Sequence, residues 1–192
     1  MCRNKNVKKL SLAVSLVSIS LASEAQRLEE ITVIGVVPAG SSIDAAKLAY
    51  PIQTATADDL DNASILNVAD FLRQNFSSVS ANDAQNNPMQ PDIQYRGFTA
   101  SPLLGLAQGL AVYQNGVRIN EPLGDTVNWD LLPQSAIQNL SLGGGTNPLY
   151  GLNSLGGALV IDMKDGFNFE GANVEISAGS FGRTVSNFEI GG

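Results

Sequence analysis

The sequence predicts an α+β fold, a small domain with a mixed, hairpin-rich sheet and short helices. Short β-prone runs are punctuated by Gly and Asn, and a single run, residues 67–76, has helical spacing. Gln114-Asn115-Gly116-Val117 supplies an Asn-Gly turn, the strongest short-range hairpin signal. A chain of 192 residues, 44% hydrophobic and 15% charged, suits one ordinary core with flanking segments.

Taken in order, the chain opens on a processing signal. Arg3, Lys5, Lys8 and Lys9 precede an apolar run from Leu10 to Ala22, with small residues after it, the tripartite pattern of a secretory signal peptide over 1–25. The run is roughly 13 residues, short of the ~20 a membrane-spanning helix needs. Cleavage is expected near Ala22 or Ala25. It leaves seven cations against seventeen acids, a net charge of −10, and removes Cys2, so no disulfide, thiolate or cysteine metal site survives. No later stretch reaches transmembrane-helix length, so any membrane-spanning part would be β-barrel.

Residues 26–50 follow as a β-prone segment, Leu28 to Val37, and a small-residue linker, "PAGSSIDAAKLAYP", that runs on to Pro51. The folded domain is expected over 51–166. Its helix is "NVADFLRQNF", where Val68, Phe71, Leu72 and Phe76 share a face and Asn67 serves as N-cap. Strands are expected at Val79–Ala81, Ile93–Arg96, Leu110–Tyr113, Val117–Asn120, Ile137–Leu142 and Ala158–Met163, held mostly by local hairpins. Residues 171–192 alternate around Val174, Ile176 and Ala178 and again around Val185, Phe188 and Ile190. They read as one strand, a turn and part of a second with nothing to pair with.

Catalytic patterns are missing. The chain has no histidine, which excludes a Ser-His-Asp nucleophile and histidine metal sites. "GGGTNPLYG" lacks the Gly-Lys-Ser/Thr ending of a phosphate loop, and Pro148 stands where a dinucleotide fingerprint needs glycine. "DDLDN", Asp58 to Asn62, lacks the alternating ligands of a calcium loop and reads as an Asp-rich helix entry. Asp162, Lys164 and Asp165 read as a solvated strand end. The expectation is a non-enzyme with no cofactor and no metal. A net charge of −7 with eleven scattered cations argues against nucleic acid.

"LEEITVIG", "DFLRQ", "QPDIQYRGF", "VYQNGVRINEPLGDTVNWDLLP" and "NPLYGLNSLGGALVIDMKDG" resemble, in order and spacing, the landmarks of the plug domain of TonB-dependent outer-membrane receptors. The resemblance covers about residues 28–166, and 167–192 resemble the start of the family's transmembrane β-barrel. It implies the plug of a receptor that binds a scarce extracellular substrate and gates its energy-coupled uptake into the periplasm. The implied partners are a TonB-type energy-transducing protein, the rest of the β-barrel, the outer membrane, and a small extracellular ligand such as a metal chelate or a saccharide. The alternative is a truncated, plug-only periplasmic module that binds the energy-transducing protein without transporting. A barrel of about 22 strands needs several hundred further residues, so the chain is expected to be a plug-only piece, a truncated product or a fragment of a longer frame.

Residue by residue, Glu30, Ile31, Thr32, Val33 and Ile34 resemble the TonB box, which pairs with its periplasmic partner by strand addition; an ordinary N-terminal strand is the other reading. Arg96, the arginine of the "RGF" landmark, is expected to point at carboxylates of the inner barrel wall, unless its stem covers the sheet and its head reaches water. Gln138-Asn139 and Gly143-Gly144-Gly145 replace the family's Glu-Arg pair and Arg-Gly-Pro turn, so a second family arginine is missing. Loops 82–90 and 121–129 are expected on one outer side. Asn86, Asn87, Gln90, Glu121, Asp125, Asn128 and Trp129 are the candidate substrate contacts, Trp129 having the alternative of packing inside on Leu131 and Leu132.

Overall fold

The computed structural model describes residues 33–35, 42–44, 50–63, 65, 67–83 and 85–192. The expected signal segment and the expected box residues Glu30, Ile31 and Thr32 lie outside the described residues. β1 (Val33–Gly35) and β2 (Ser42–Asp44) form an antiparallel pair, with Val33 opposite Asp44 and Gly35 opposite Ser42. A segment read as isolated strand and linker thus contains a strand pairing.

The main sheet has five strands in the order β3 (Ile52–Thr56), β9 (Ile137–Gly144), β10 (Gly157–Met163), β7 (Leu110–Gln114), β8 (Val117–Arg118). β3 lies at one edge, antiparallel to β9. Nothing in Ile52-Gln53-Thr54-Ala55-Thr56 announces a strand beyond weak propensity; its pairing with β9 makes it one. β7 and β10 are parallel, with Leu110 beside Gly157 and Gln114 beside Ile161. A parallel pair cannot be closed by a hairpin, so the sheet depends on distant segments more than the expected local hairpins do.

Two short helices cover this sheet. Thr56 ends β3 and starts α1 (Ala57–Asn62): its N–H and hydroxyl both donate to Asp59 Oδ2 at 2.9 Å. The Asp-rich "DDLDN" run is therefore a helix entry, with Asp58 and Asp59 in the first turn. α2 (Val68–Asn75) begins at the expected cap, Asn67 Oδ1 accepting from the Asp70 N–H at 2.8 Å, and buries Val68, Ala69, Phe71 and Leu72. Phe71 meets Phe76 edge-on, ring centres 5.9 Å apart. Gln53 of β3 clamps the chain after α2, its amide bonding the Ser77 N–H and carbonyl.

β4 (Val79–Asn82), β5 (Asp92–Tyr95) and β6 (Phe98–Ala100) form a local antiparallel meander. Arg96 closes the β5–β6 hairpin rather than ending the strand. Arg96 and Gly97 both have positive φ, 52° and 86°, as do Asn115 and Gly116 between β7 and β8, 48° and 78°. Both are two-residue turns of the kind that matches strand twist. Leu110, Val112, Leu140, Leu142, Leu159 and Ile161 pack with the helices, Ile93, Tyr95 and Trp129 into the principal core. Ala111, Tyr113, Tyr150, Ala158 and Val160 form a second cluster. Burial of alternate positions in both clusters explains why β10 reads as a nearly unbroken apolar run.

β11 (Gly171–Ala178) and β12 (Thr184–Gly191) pair antiparallel along their whole length, so the second tail strand does have a partner, the first. Ala172, Val174 and Ile176 share a face with Phe188 and Ile190; Asn173, Glu175, Asn187 and Glu189 share the other. The apolar face is exposed, Ile176 at 72% and Ile190 at 75%. Lys164, just past β10, reaches Glu189 on the polar face at 2.9 Å and lies 5.0 Å from the Phe169 ring centre. The expected solvated strand end is in part buried: Lys164 is paired, and burial raises the Asp162 carboxyl above its ordinary range. No helix among the described residues is long and apolar enough to cross a membrane.

Candidate functional site

Three loops meet at one end of the main sheet. Because β7 and β10 are parallel and Gly157 pairs with Gly144, the loop entering β7 (101–109) and the loop joining β9 to β10 (145–156) share that end. The Gly156 N–H donates to Gly109 O at 2.9 Å. β8 returns from the Asn115-Gly116 turn toward the same end and feeds the third loop, 119–128.

Asn120 fixes that third loop. Where β8 stops, its side chain replaces a strand partner: Oδ1 accepts from the Val112 N–H at 2.7 Å, and Nδ2 donates to Leu110 O and Asp125 O, each at 3.2 Å. Gly124 and Asp125, with φ of 81° and 58°, turn the chain so that the Asp125 carboxylate faces Arg118. All three Arg118 nitrogens are then engaged. Nη2 donates to Asp125 Oδ1 at 2.9 Å, Nε to Asn120 Oδ1 at 3.3 Å, and Nη1 to the carbonyl of Leu152 in loop 145–156. Asn153 donates to the other Asp125 oxygen, Oδ2.

This network borders an open depression of about 400 Å³, with Leu106 and Gln108 from loop 101–109, Arg118 of β8 and Asp125 of loop 119–128, and Leu152 and Asn153 from loop 145–156. The first loop is anchored underneath by buried polar groups. The Ser101 hydroxyl donates to Asp92, the Ser101 N–H donates to Gln108 Oε1 at 2.8 Å, and Gln108 Nε2 donates to Leu103 O at 3.3 Å. Polar burial here is satisfied: among the described residues no buried side-chain nitrogen or oxygen lacks a partner.

Of the candidate substrate contacts, Asp125 lines the depression. Glu121 and Asn128 stand on the same loop, Asn128 Nδ2 donating to Glu121 Oε1 at 3.1 Å. Gln90 Nε2 donates to Asp130 Oδ1 at 2.7 Å, tying loop 83–91 to the turn just past loop 119–128. Asn86 is exposed with φ of 54°, and Asn87 Oδ1 accepts from the Met89 N–H at 3.1 Å. Trp129 is buried in the principal core at 4% exposure, its indole N–H donating to Ala100 O at 3.0 Å. Leu132 is buried beside it in that core, whereas Leu131 is exposed. Sequence reasoning missed Arg118, Asn153 and Leu152; the Asn-Gly turn placed Arg118 on a strand, but its partners lie up to 34 residues away.

Arg96 is exposed, its guanidinium 5.1 Å from the Tyr95 ring centre, with Nη1 2.9 Å from where a Cβ on Gly144 would stand. A Cβ at 144 would also stand 2.6 Å from the Tyr95 hydroxyl, so any other residue there would displace these side-chain ends. No ion pair reaches Arg96 among the described residues. Val33 and Ile34, the described residues of the segment expected to be the box, lie in β1, opposite Asp44 and Ile43. Behind the depression, the Tyr113 hydroxyl donates to Tyr150 O at 2.7 Å. Burial raises both phenols above their ordinary range, and for Tyr150 a hydrogen bond with Tyr50 adds to it. Among the described residues no group of three or more His, Cys, Asp or Glu could hold a metal ion.

The TonB-dependent Receptor Plug Domain family model matches residues 44–158. Solved structures share the fold. The pyoverdine outer membrane receptor FpvA from Pseudomonas aeruginosa PAO1 bound to pyoverdine is similar with a TM-score of 0.58 at 16% identity, over 77% of this chain and 20% of that one. The hemophore receptor HasR of Serratia marcescens, in complex with its hemophore HasA and heme, gives 0.55 at 16%, over 72% and 21%. The ferric yersiniabactin uptake receptor FyuA from Yersinia pestis gives 0.52 at 18%, over 72% and 21%. The chain thus spans about a fifth of the structures it matches. No curated protein matches it.

Proposed function

We propose, from the premise that this chain belongs to the TonB-dependent receptor plug domain family, that it is the plug portion of an outer-membrane receptor which binds a scarce extracellular ligand and gates its energy-coupled uptake into the periplasm. One observation carries the membrane part of this reading. β11 and β12 form a two-faced hairpin whose polar side is held to the domain by Lys164 and Glu189, while its apolar side is left uncovered. Strands that alternate apolar and polar in this way are those of a transmembrane barrel, lipid on one side and lumen on the other. The domain then sits on the lumen side.

The depression bordered by Arg118, Asp125 and Asn153 is the ligand-contacting part, with Glu121, Asn128, Gln90, Asn86 and Asn87 on the surrounding loops. Arg96 contacts the barrel wall. Glu30 to Ile34 form the box, which recruits a TonB-type partner by strand addition. Because Val33 is paired with Asp44 in β1–β2, the partner either adds to the free edge of β1 or displaces β2.

Proline tests the coupling. It removes a backbone donor and fixes φ, so Thr32→Pro or Val33→Pro in the complete receptor is expected to abolish uptake while ligand binding persists, and Thr32→Ala much less so. For the chain alone, pull-down by the energy-transducing protein is the readout. Unchanged affinity of the Val33→Pro chain would reduce the segment to an ordinary strand.

A further inference from the structure

We infer that the depression takes a ligand with an apolar body and no negative charge. The inference deepens the reading above and rests on the depression being the ligand-contacting part. Two features support it. The first is the state of its cation. Loops 101–109, 119–128 and 145–156 contain no lysine or arginine, so Arg118 is the one cation bordering the space among the described residues. Its three nitrogens are already directed at Asp125, Asn120 and the Leu152 carbonyl. An anionic ligand would have to take Arg118 from Asp125, the acid that lines the space with it, leaving that carboxylate to Asn153 alone. Recognition of a carboxylate or phosphate ordinarily uses an arginine with its fork free.

The second feature is the rim. Leu104, Leu106, Leu123, Leu152 and Leu155 are all largely exposed, and all lie on these three loops. Leu106 and Leu152 border the space directly, and Leu104 Cδ2 lies 2.6 Å from where a Cβ on Gly124 would stand. Solvent-facing leucines concentrated at the mouth of a depression mark a surface to be covered. Among the described residues no free cation borders the space and Asp125 does, which decides the sign of what covers it.

Two rigid probes of similar shape and opposite charge separate the possibilities: tetraphenylphosphonium and tetraphenylborate. The full chain, labelled at leucine methyls, is titrated with each, and the methyl shifts of Leu106 and Leu152 are followed, a readout that ignores probe bound at the β11–β12 face. The phosphonium is expected to shift both methyls saturably and at least tenfold more tightly than the borate. Leu152→Ser, at an exposed position, should weaken it severalfold, and Asp125→Asn should narrow the preference. Borate binding as tightly as phosphonium would overturn the inference and leave the ligand site standing. If neither probe moves these methyls, or Leu152→Ser changes nothing, the leucines serve contacts with the rest of the receptor, and the assignment of the depression falls as well.

Discussion

Asp162 and Arg96 each stand under strain, the one from burial of its carboxyl and the other in its backbone, and each yields a test. Burial raises the Asp162 carboxyl above the 3.8 of a free aspartate. A group whose folded pKa is raised favours the fold below its unfolded pKa and loses that contribution as pH rises through the folded value. Asp162→Asn is therefore expected to stabilise the chain at neutral pH, with the advantage vanishing as the pH is lowered to about 4, as read from denaturant midpoints across pH. Arg96 keeps a positive φ of 52° without an ion pair among the described residues. A left-handed conformation costs a side chain other than Gly or Asn about 1 kcal/mol. Arg96→Asn is expected to raise the stability of the chain by about that amount, as read from denaturant midpoints. Arg118 behaves oppositely: Arg118→Gln breaks three contacts at once, and a loss of about 1–2 kcal/mol is expected, with Arg118→Lys recovering part of it because charge returns without the fork.

Elements differ in how much of themselves they announce. α2 was legible because its signals are local: Asn67 caps it and Val68, Phe71 and Leu72 share one face. The Asn-Gly turn was legible for the same reason. β3 was not, since Ile52 to Thr56 become a strand only through β9, more than 80 residues on. Nor was the parallel pairing of β7 with β10, for which no turn residue speaks. The candidate site divides the same way: the loop of Asp125 could be read from polar, turn-rich composition, whereas the partners of Arg118 and Asp125 in Leu152 and Asn153 come from across the sheet end. At this scale the Lys164–Glu189 pair is a fastening for β12, since both side chains are nearly buried, 11% and 13% exposed. Breaking a shielded pair leaves a charge without its partner. Glu189→Gln is expected to raise amide exchange throughout β11 and β12 while β9 and β10 stay protected, measured by hydrogen–deuterium exchange. Equal exchange in both would mean that backbone pairing alone holds the hairpin.

At the scale of the whole molecule, two buried phenols set an alkaline limit. Tyr150 and Tyr113 both have folded pKa values above 10.0, so the stability they preserve is intact below pH 10 and lost as the pH rises beyond it. Unfolding by alkali is expected to begin near there, and Tyr150→Phe to move its onset upward. The arrangement of the sheet also has a mechanical consequence. β3 is an edge strand, held by one neighbour, by the Gln53–Ser77 clamp and by the burial of Leu60 just after it. The chain that leads into it is the one that carries β1 and β2. A tension applied at the amino-terminal side reaches β3 before any other part of the main sheet, and β3 can peel from β9 while β9, β10, β7 and β8 keep every bond they share. The domain has a tear line along the β3–β9 seam. In a force spectrometer, with tethers near residue 33 and at the carboxyl end, the first yield is expected to release β3 and α1 as one step. A Gln53→Ala chain should yield at lower load, without altering the later rupture of the four strands that remain.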